Sequence, residues 1–181
     1  DDFEICGLVS TGESKVELNK KLGGGYQLFS SFDEALAATS ADAVCISTYP
    51  DTHEEYAIKA LQNGCHVFLE KPVADSVEGA ENVVNAARKY NKKLVVGYIL
   101  RHHPSWIKFV DIAKTLGRPL VMRMNLNQQS SGSNWETHKN IMKSLSPIVD
   151  CGVHYIDVMC QITRSAPTSV HAIGARLTDD V

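Results

Sequence analysis

The sequence predicts an α/β protein: a parallel sheet wound with helices on both faces, followed by part of an α+β domain with an open-faced sheet. From the first residue to about residue 100, buried strand-like runs alternate with amphipathic helices through short connections, which is typical of a covered parallel sheet. After Arg101 the strand-like runs become longer and half polar, which indicates a sheet with one open face. We therefore predict a first domain over residues 1–101 and the start of a second over residues 102–181.

Helix start signals place the elements of the first domain. Ser31 with Glu34, Thr52 with Glu55, and Asp75 with Glu78 each match a helix N-cap followed three residues later by glutamate. We predict strands over residues 3–10, 26–29, 43–48, 66–70 and 94–98, and helices over residues 13–22, 31–36, 52–63 and 75–87.

The second domain carries fewer signals. We predict a helix over residues 104–116, a strand over residues 120–126, a polar loop up to Trp135, a helix from about Val149 to Ile162, and a strand-like run over residues 170–177. The amides and hydroxyls of the polar loop, with Trp135 and His138, would suit a polyol, cyclitol or sugar in a substrate pocket.

Composition excludes several functional classes. The chain of 181 residues has 18 Lys plus Arg against 21 Asp plus Glu and no basic block, so neither nucleic acid nor an anionic membrane is an expected partner. The longest apolar run, residues 94–100, is far shorter than the ~20 residues that cross a bilayer. A small-molecule substrate is the better expectation.

Five cysteines without a C-x-x-C pair predict free thiols and a reducing, cytoplasmic location. Cys6, Cys45 and Cys65 lie in apolar strand-like runs, so we expect them to be buried.

Polar side chains follow the predicted strands where each strand ends. They are Ser10, residues 47–50, Glu70 with Lys71, and residues 98–101. In open parallel sheets, ligands bind outside the carboxyl ends of the strands, so these residues are candidates for a binding site. The alternative is that they are ordinary solvated turns.

A second cluster lies on the helix that begins near Val149. Asp150, His154, Asp157 and Gln161 share one helical face. An ordinary solvent-facing side of an amphipathic helix is the alternative interpretation. Gly152 within this helix indicates that something packs or binds close to the backbone, because glycine destabilises a helix by up to ~1 kcal/mol.

The sequence Glu70-Lys71-Pro72, together with Asp150-Cys151-Gly152-Val153-His154, resembles the Gfo/Idh/MocA family of nicotinamide-dependent oxidoreductases. Residues 97–101, which end the following strand, and residues 47–50 with His53 fit the same order. The resemblance covers nearly the whole chain. It implies a Rossmann-type dinucleotide-binding domain over residues 1–101 and a substrate and oligomerisation domain from residue 102.

The resemblance implies an enzyme that transfers a hydride between a nicotinamide cofactor and a secondary alcohol or ketone of a sugar, polyol or cyclitol. Such a site needs a base near neutral pKa and a donor that stabilises the developing alkoxide. The expected catalytic residues are Lys71, Asp150 and His154, with Asp150 orienting the His154 ring, and either Lys71 or His154 removes the proton. With Trp135 they also bind substrate. The expected cofactor-binding residues are Ser10, Lys15, Ser47, Thr48, Pro50, His53, Glu70 and Arg101.

The chain departs from the family pattern in three places. It has no strand followed by a Gly-x-Gly-x-x-Gly loop, since residues 23–25 follow a helix and precede a strand. Its first strand looks like the family's second, and family members are about twice as long, so we expect a fragment or an incompletely represented chain. Ser146-Pro147 stands where a glycine-rich stretch is common. The expectation of activity therefore concerns the parent protein.

The end of the first strand indicates which nicotinamide cofactor binds. Ser10 and Thr11, with Lys15 nearby, offer hydroxyls and a cation that suit the 2′-phosphate of NADP, whereas an acidic residue there would favour NAD. A helix N-cap serine beside a surface lysine is an equal alternative, and NAD is not excluded.

Two other readings compete with the enzyme. One is a non-catalytic NAD(P)-binding regulatory or sensor protein of the same fold. The other is a metal site built from Cys151, His154, His102 and His103, which lacks the spacing of known metal motifs; we expect no metal. An open sheet in the second domain would be a natural surface for a homo-oligomer.

Overall fold

The computed structural model of the chain describes residues 2–119, 121–127 and 129–175. In chain order the strands are β1 (Leu8–Val9), β2 (Leu28–Phe29), β3 (Ala43–Ile46), β4 (His66–Leu69) and β5 (Leu94–Val96). The helices are α1 (Ser14–Lys21), α2 (Phe32–Ala38), α3 (His53–Gln62), α4 (Val77–Lys89), α5 (Pro104–Thr115), α6 (Gly132–Ile141) and α7 (Val153–Thr163).

All the paired strands of the described residues run parallel. β1 pairs with β2, and β3, β4 and β5 form a second sheet in that order. Parallel neighbours need a crossover between them, and α3 and α4 supply the two crossovers of the second sheet. The predicted α/β fold class is confirmed. The carboxyl ends of β3, β4 and β5 consequently share one edge, from which residues 47–50, 70–71 and 97–98 emerge.

The core lies between the second sheet and helices α3 and α4. Its fully buried side chains include Leu61, Leu69 and Val83. The opposite face of the sheet carries Cys45, Phe68 and Val95 in register, and all three are exposed. Within the described residues, helices therefore cover one face of this sheet, whereas the sequence predicted helices on both faces.

The expectation that Cys6, Cys45 and Cys65 are all buried is wrong for the first two. Cys45 and Cys6 are exposed, and Cys65 is buried beneath α3 and α4. Cys6 lies in residues 3–7, which form no strand because β1 pairs with β2 only at Leu8 and Val9. No disulfide joins any of the five cysteines, all of which lie in the described residues, as expected.

Two of the three predicted capping interactions differ from the structure. Ser31 caps α2 through the Glu34 amide, as predicted. α4 is capped by Ser76 rather than Asp75, because Ser76 has the extended backbone of an N-cap and its hydroxyl accepts from the amide of Gly79. Thr52 occupies the predicted N-cap position of α3 but makes no capping hydrogen bond, because its hydroxyl donates to Tyr49 O within a 3₁₀ turn that precedes α3.

Helices α5 and α7 form a second cluster. Val110 of α5 packs with Val158 and Ile162 of α7. α6 occupies the region where the sequence predicted a polar loop, so Trp135 is helical. No helix among the described residues has the length and apolar character needed to cross a bilayer.

The described residues after residue 102 do not form the predicted strands. Residues 121–126 and 170–175 find no hydrogen-bonded neighbouring strand within the described part of the chain, and a strand is defined by that pairing. Leu120 and residues 176–177 lie outside the described residues. The open-faced sheet and the domain boundary near residue 101 remain predictions.

Candidate active site at the carboxyl edge of the sheet

An ion pair joins the sheet edge to the start of α7. Lys71 follows β4, and its Nζ donates to Asp150 Oδ1 at 2.6 Å and to the Asp150 main-chain oxygen at 2.9 Å. The side chains are 21% and 13% exposed, so the pair is largely shielded from water. An ammonium has three N–H donors, and one remains after these two bonds. The structure thus brings together two candidate residues that are far apart in the sequence.

The backbone around Asp150 differs from the predicted α-helix. Residues Ile148–Gly152 form a π-helical turn that leads into α7. Such turns often occur at functional sites. A Cβ added at Gly152 would lie 2.8 Å from Ile148 Cγ1, a distance that real Cβ atoms do not show. The Ile148 side chain therefore packs close to the backbone at Gly152, as the glycine predicted.

The charge of Asp150 is set by two opposing effects. Burial raises the pKa of its carboxyl, but the hydrogen bond and charge of Lys71 outweigh burial and hold that pKa below the usual range. Asp150 therefore stays ionised near neutral pH and retains the Lys71 ammonium beside it.

His154 lies in the first turn of α7, next to this ion pair. Burial, followed by the charge of Lys71, lowers the pKa of the imidazole below 6.5, against smaller opposing effects of nearby carboxylates. Its Nδ1 is buried, and no described residue is its hydrogen-bond partner. Tyr98 meets the ring edge-on, with 6.4 Å between centroids. The expectation that Asp150 orients this ring is wrong, because the Asp150 carboxylate bonds Lys71 instead.

The rest of the polar face of α7 also faces residues 98–101 rather than solvent. Arg101 donates from Nε to Asp157 Oδ2 at 2.9 Å and stands 5.0 Å from the centroid of the Tyr98 ring. Gln161 donates to the same carboxylate oxygen at 2.8 Å. Arg101, expected at the cofactor, is thus engaged in an ion pair with α7. The sequence analysis singled out all four of these residues but did not predict the ion pair between Arg101 and Asp157, for which the sequence carries no signal.

Glu70 holds the main chain at the start of the Lys71 turn. Its Oε2 accepts from the Lys71 amide at 3.3 Å. A Cβ added at Gly97, after β5, would lie 3.0 Å from Glu70 Oε2, so glycine leaves room for this carboxylate. The Lys71–Pro72 peptide bond is cis.

The turn after β3 contains the other candidates at this edge. Ser47 and Thr48 are exposed and Pro50 is buried. His53 is 1% exposed, with Nδ1 2.6 Å from Pro72 O and Nε2 3.1 Å from Thr48 O. Because both ring nitrogens face main-chain carbonyls, His53 has no free polar atom for the direct cofactor contact that the sequence predicted.

Lys15 connects the ends of β1 and β2. Its Nζ donates to Ser10 O at 2.7 Å and to Ser30 Oγ at 2.9 Å, and the Ser10 and Ser14 hydroxyls are 2.6 Å apart. The structure therefore groups one cation with three hydroxyls, two of which, those of Ser14 and Ser30, sequence reasoning did not include.

α6 contributes a histidine near the site. His138 accepts or donates a hydrogen bond with Ser130 Oγ at 2.7 Å. Trp135 lies one turn earlier on the same helix. Within the described ranges, no group of three His, Cys, Asp or Glu side chains is placed to hold a metal ion.

The known proteins to which the chain is similar are oxidoreductases. A family model described as an oxidoreductase family with an NAD-binding Rossmann fold matches residues 1–98, and the GFO/IDH/MocA C-terminal domain matches residues 112–181. Inositol 2-dehydrogenase of Klebsiella pneumoniae (strain 342) is 31% identical over 156 residues, 84% of this chain and 44% of the relative.

Solved structures share the fold. Myo-inositol 2-dehydrogenase from Lactobacillus plantarum matches with a TM-score of 0.72 at 18% identity, over 89% of this chain and 49% of that one. UDP-N-acetylglucosamine 3-dehydrogenase from Acidithiobacillus ferrooxidans matches with a TM-score of 0.69 at 26% identity, over 96% of this chain and 54% of that one. The chain thus spans about half the length of the relatives it matches.

Proposed function

The chain belongs to the Gfo/Idh/MocA family of oxidoreductases, and from this premise we propose that the complete protein transfers a hydride between a nicotinamide cofactor and a secondary alcohol or ketone of a cyclitol, polyol or sugar. The observation that carries the proposal is the Lys71–Asp150 ion pair at the carboxyl edge of the sheet, beside a buried His154 nitrogen without a described partner. The similarity to inositol 2-dehydrogenases supports a cyclitol as the first substrate to test.

The donor set of the described residues fits a nicotinamide dinucleotide. The exposed Ser47 and Thr48, with Pro50 and Glu70, follow β3 and β4 at the edge where open parallel sheets bind ligands. Lys15 and its hydroxyl neighbours offer a second polar group after β1 and β2. When bound, the nicotinamide ring accepts or returns the hydride.

His154, Lys71 and Asp150 have different roles in the proton transfer. We assign the base to His154, because its lowered pKa keeps the imidazole neutral near pH 7 and its buried Nδ1 is available to a substrate hydroxyl. Lys71 offers its third N–H to the same oxygen and stabilises the negative charge that develops there. Asp150 accepts two hydrogen bonds from this ammonium and holds it in place, and we therefore assign Lys71 as a donor rather than the proton acceptor.

The activity is tested by following the absorbance of reduced nicotinamide. The complete protein is incubated with NADP or NAD and a panel of cyclitols, polyols and sugars. We expect reduction with at least one cyclitol or sugar. The contradicting result would be tight binding of NADP or NAD without turnover in either direction. Such a protein would reduce no cofactor with any alcohol of the panel and would oxidise no reduced cofactor with the matching ketones. That result would support the non-catalytic regulatory alternative.

The pH profile of alcohol oxidation tests the role of His154. Because burial and Lys71 lower the pKa of this imidazole, kcat/KM should stay constant from neutral pH down to about pH 6.5 and fall only at lower pH, where His154 becomes protonated. The matched control is His66→Asn, in which the amide oxygen can still accept from the Lys93 amide. This variant should keep the same acid limb. An acid limb above pH 6.5 would remove His154 from the base role.

Cofactor preference tests the Lys15 cluster, where we propose binding of the NADP 2′-phosphate by Lys15 and Ser10. Lys15→Gln should weaken NADP binding about tenfold to a hundredfold and leave NAD binding unchanged, because it removes a charge-assisted hydrogen bond. Lys20→Gln, in the last turn of α1, is the control. The dissociation constants of NADP and NAD are measured by calorimetry for each variant and for the unmodified protein. Tighter binding of NAD than of NADP by the unmodified protein would contradict the proposal.

Two further aspects of the function are proposals. Five cysteines without a disulfide between them support a reducing, cytoplasmic location. A homo-oligomer formed through the second domain remains a proposal, to be tested by light scattering of the complete protein.

A further inference from the structure

His53 is the buried polar residue of the described core. It begins α3 and is 1% exposed, although a buried imidazole loses its hydration and needs hydrogen-bond partners in return. Its ring nitrogens face two main-chain carbonyl oxygens, Thr48 O in the turn after β3 and Pro72 O in the turn after β4. One side chain thus contacts both turns that bound the carboxyl edge of the sheet.

The contact with Pro72 restricts the main chain of Lys71. Pro72 is covalently joined to Lys71, so a fixed Pro72 carbonyl limits where the lysine main chain can lie. The Nδ1 contact is the shorter of the two, at 2.6 Å against 3.1 Å, and we therefore place a ring proton on Nδ1 that donates to Pro72 O. Glu70 accepts from the Lys71 amide, and Asp150 accepts from Nζ at the far end of the side chain.

We propose that His53 is a positioning residue that ties the β3 and β4 turns together and thereby holds Lys71 in register with Asp150 and His154. This proposal rests on the proposed function for its catalytic consequence. The geometric part, that His53 immobilises the Lys71 turn, stands independently of any reaction.

Three substitutions separate the two contacts. His53→Asn places an amide nitrogen where Nδ1 lies and can still donate to Pro72 O. His53→Gln places its amide nitrogen nearer to Nε2 and can serve Thr48 O. His53→Leu fills the space without any donor. Val83→Ala, in the core on α4, is the control for lost stability without a contact to either turn.

The first readout is the rate at which Lys71 in the complete protein is acylated by a water-soluble amine reagent, measured by peptide mass spectrometry. Loss of the Pro72 contact should raise this rate about tenfold in His53→Leu and His53→Gln, because one lost hydrogen bond makes local opening of the turn more frequent. His53→Asn should label close to the unmodified rate, and so should Val83→Ala.

The second readout is steady-state kinetics with the best substrate of the panel. His53→Leu and His53→Gln should lose about a hundredfold in kcat, the scale of a small misplacement of a catalytic group, with little change in KM, and His53→Asn should recover most of it. Unchanged Lys71 labelling in both His53→Leu and His53→Gln, or equal labelling of the Asn and Gln variants if the Leu variant does not fold, would overturn the proposal. A protein without dehydrogenase activity would refute the proposed function, and the labelling would still decide the role of His53.

Discussion

Replacing His154 with alanine is expected to lower kcat for alcohol oxidation by about two to four orders of magnitude, the usual contribution of a positioned general base. The buried Nδ1 has no described protein partner, so we expect its loss to remove the proton acceptor without disturbing a structural hydrogen bond. The dissociation constant of the cofactor should change by less than about twofold, since it is the substrate hydroxyl that this nitrogen meets. Steady-state kinetics and cofactor calorimetry measure the two effects.

Added imidazole provides a positive control for this variant. The ring of His154 packs edge-on against Tyr98, so its removal leaves a ring-sized space in which free imidazole can act as the base. We expect kcat of His154→Ala to rise with imidazole concentration. Wild-type turnover by His154→Ala would exclude this residue from the mechanism.

Replacing Lys71 with methionine should lower kcat by about two to three orders of magnitude, the cost of removing one preorganised donor to a developing oxyanion. Methionine keeps much of the lysine volume, so the effect reports the ammonium. Lys71→Arg should not restore the rate, because a planar guanidinium cannot reproduce the two bonds to Asp150 together with a third bond to the substrate.

The control for Lys71 is Lys59→Met. Lys59 is also ion-paired, with Asp33 and Glu55, but it lies on α3 away from the sheet edge. Its loss should leave kcat unchanged. If Lys71→Met retained more than about a tenth of the wild-type kcat, the donor role of Lys71 would be wrong.

Local patterns in the sequence were sufficient for much of the first domain. The apolar runs at residues 43–46, 66–69 and 94–96 predicted the strands of the second sheet, and strand ends predicted where Lys71 lies. Spacing also placed His154 and Asp157 on one face. These features depend on neighbours within about one turn or one strand, which a sequence displays directly.

Contacts between residues that are distant in the sequence could not be predicted from local patterns. The i, i+4 spacing of Asp150 and His154 predicted a mutual contact, but a π turn separates them from α-helical register and Lys71 takes the carboxylate. The exposure of Cys45 depends on which sheet face the helices cover, and α6 formed in a segment without helical periodicity. His53 was assigned to the cofactor because its packing between two carbonyls has no local signature.

The most direct test of the shared site is a double-mutant cycle on kcat in the complete protein, with Lys71→Met, His154→Ala and both together. Because both side chains act on one substrate oxygen, the double variant should lose no more than about tenfold beyond the worse single variant. Losses that multiply would show that Lys71 and His154 act independently, which would contradict the assignment of a single active site at the junction of the sheet edge and α7.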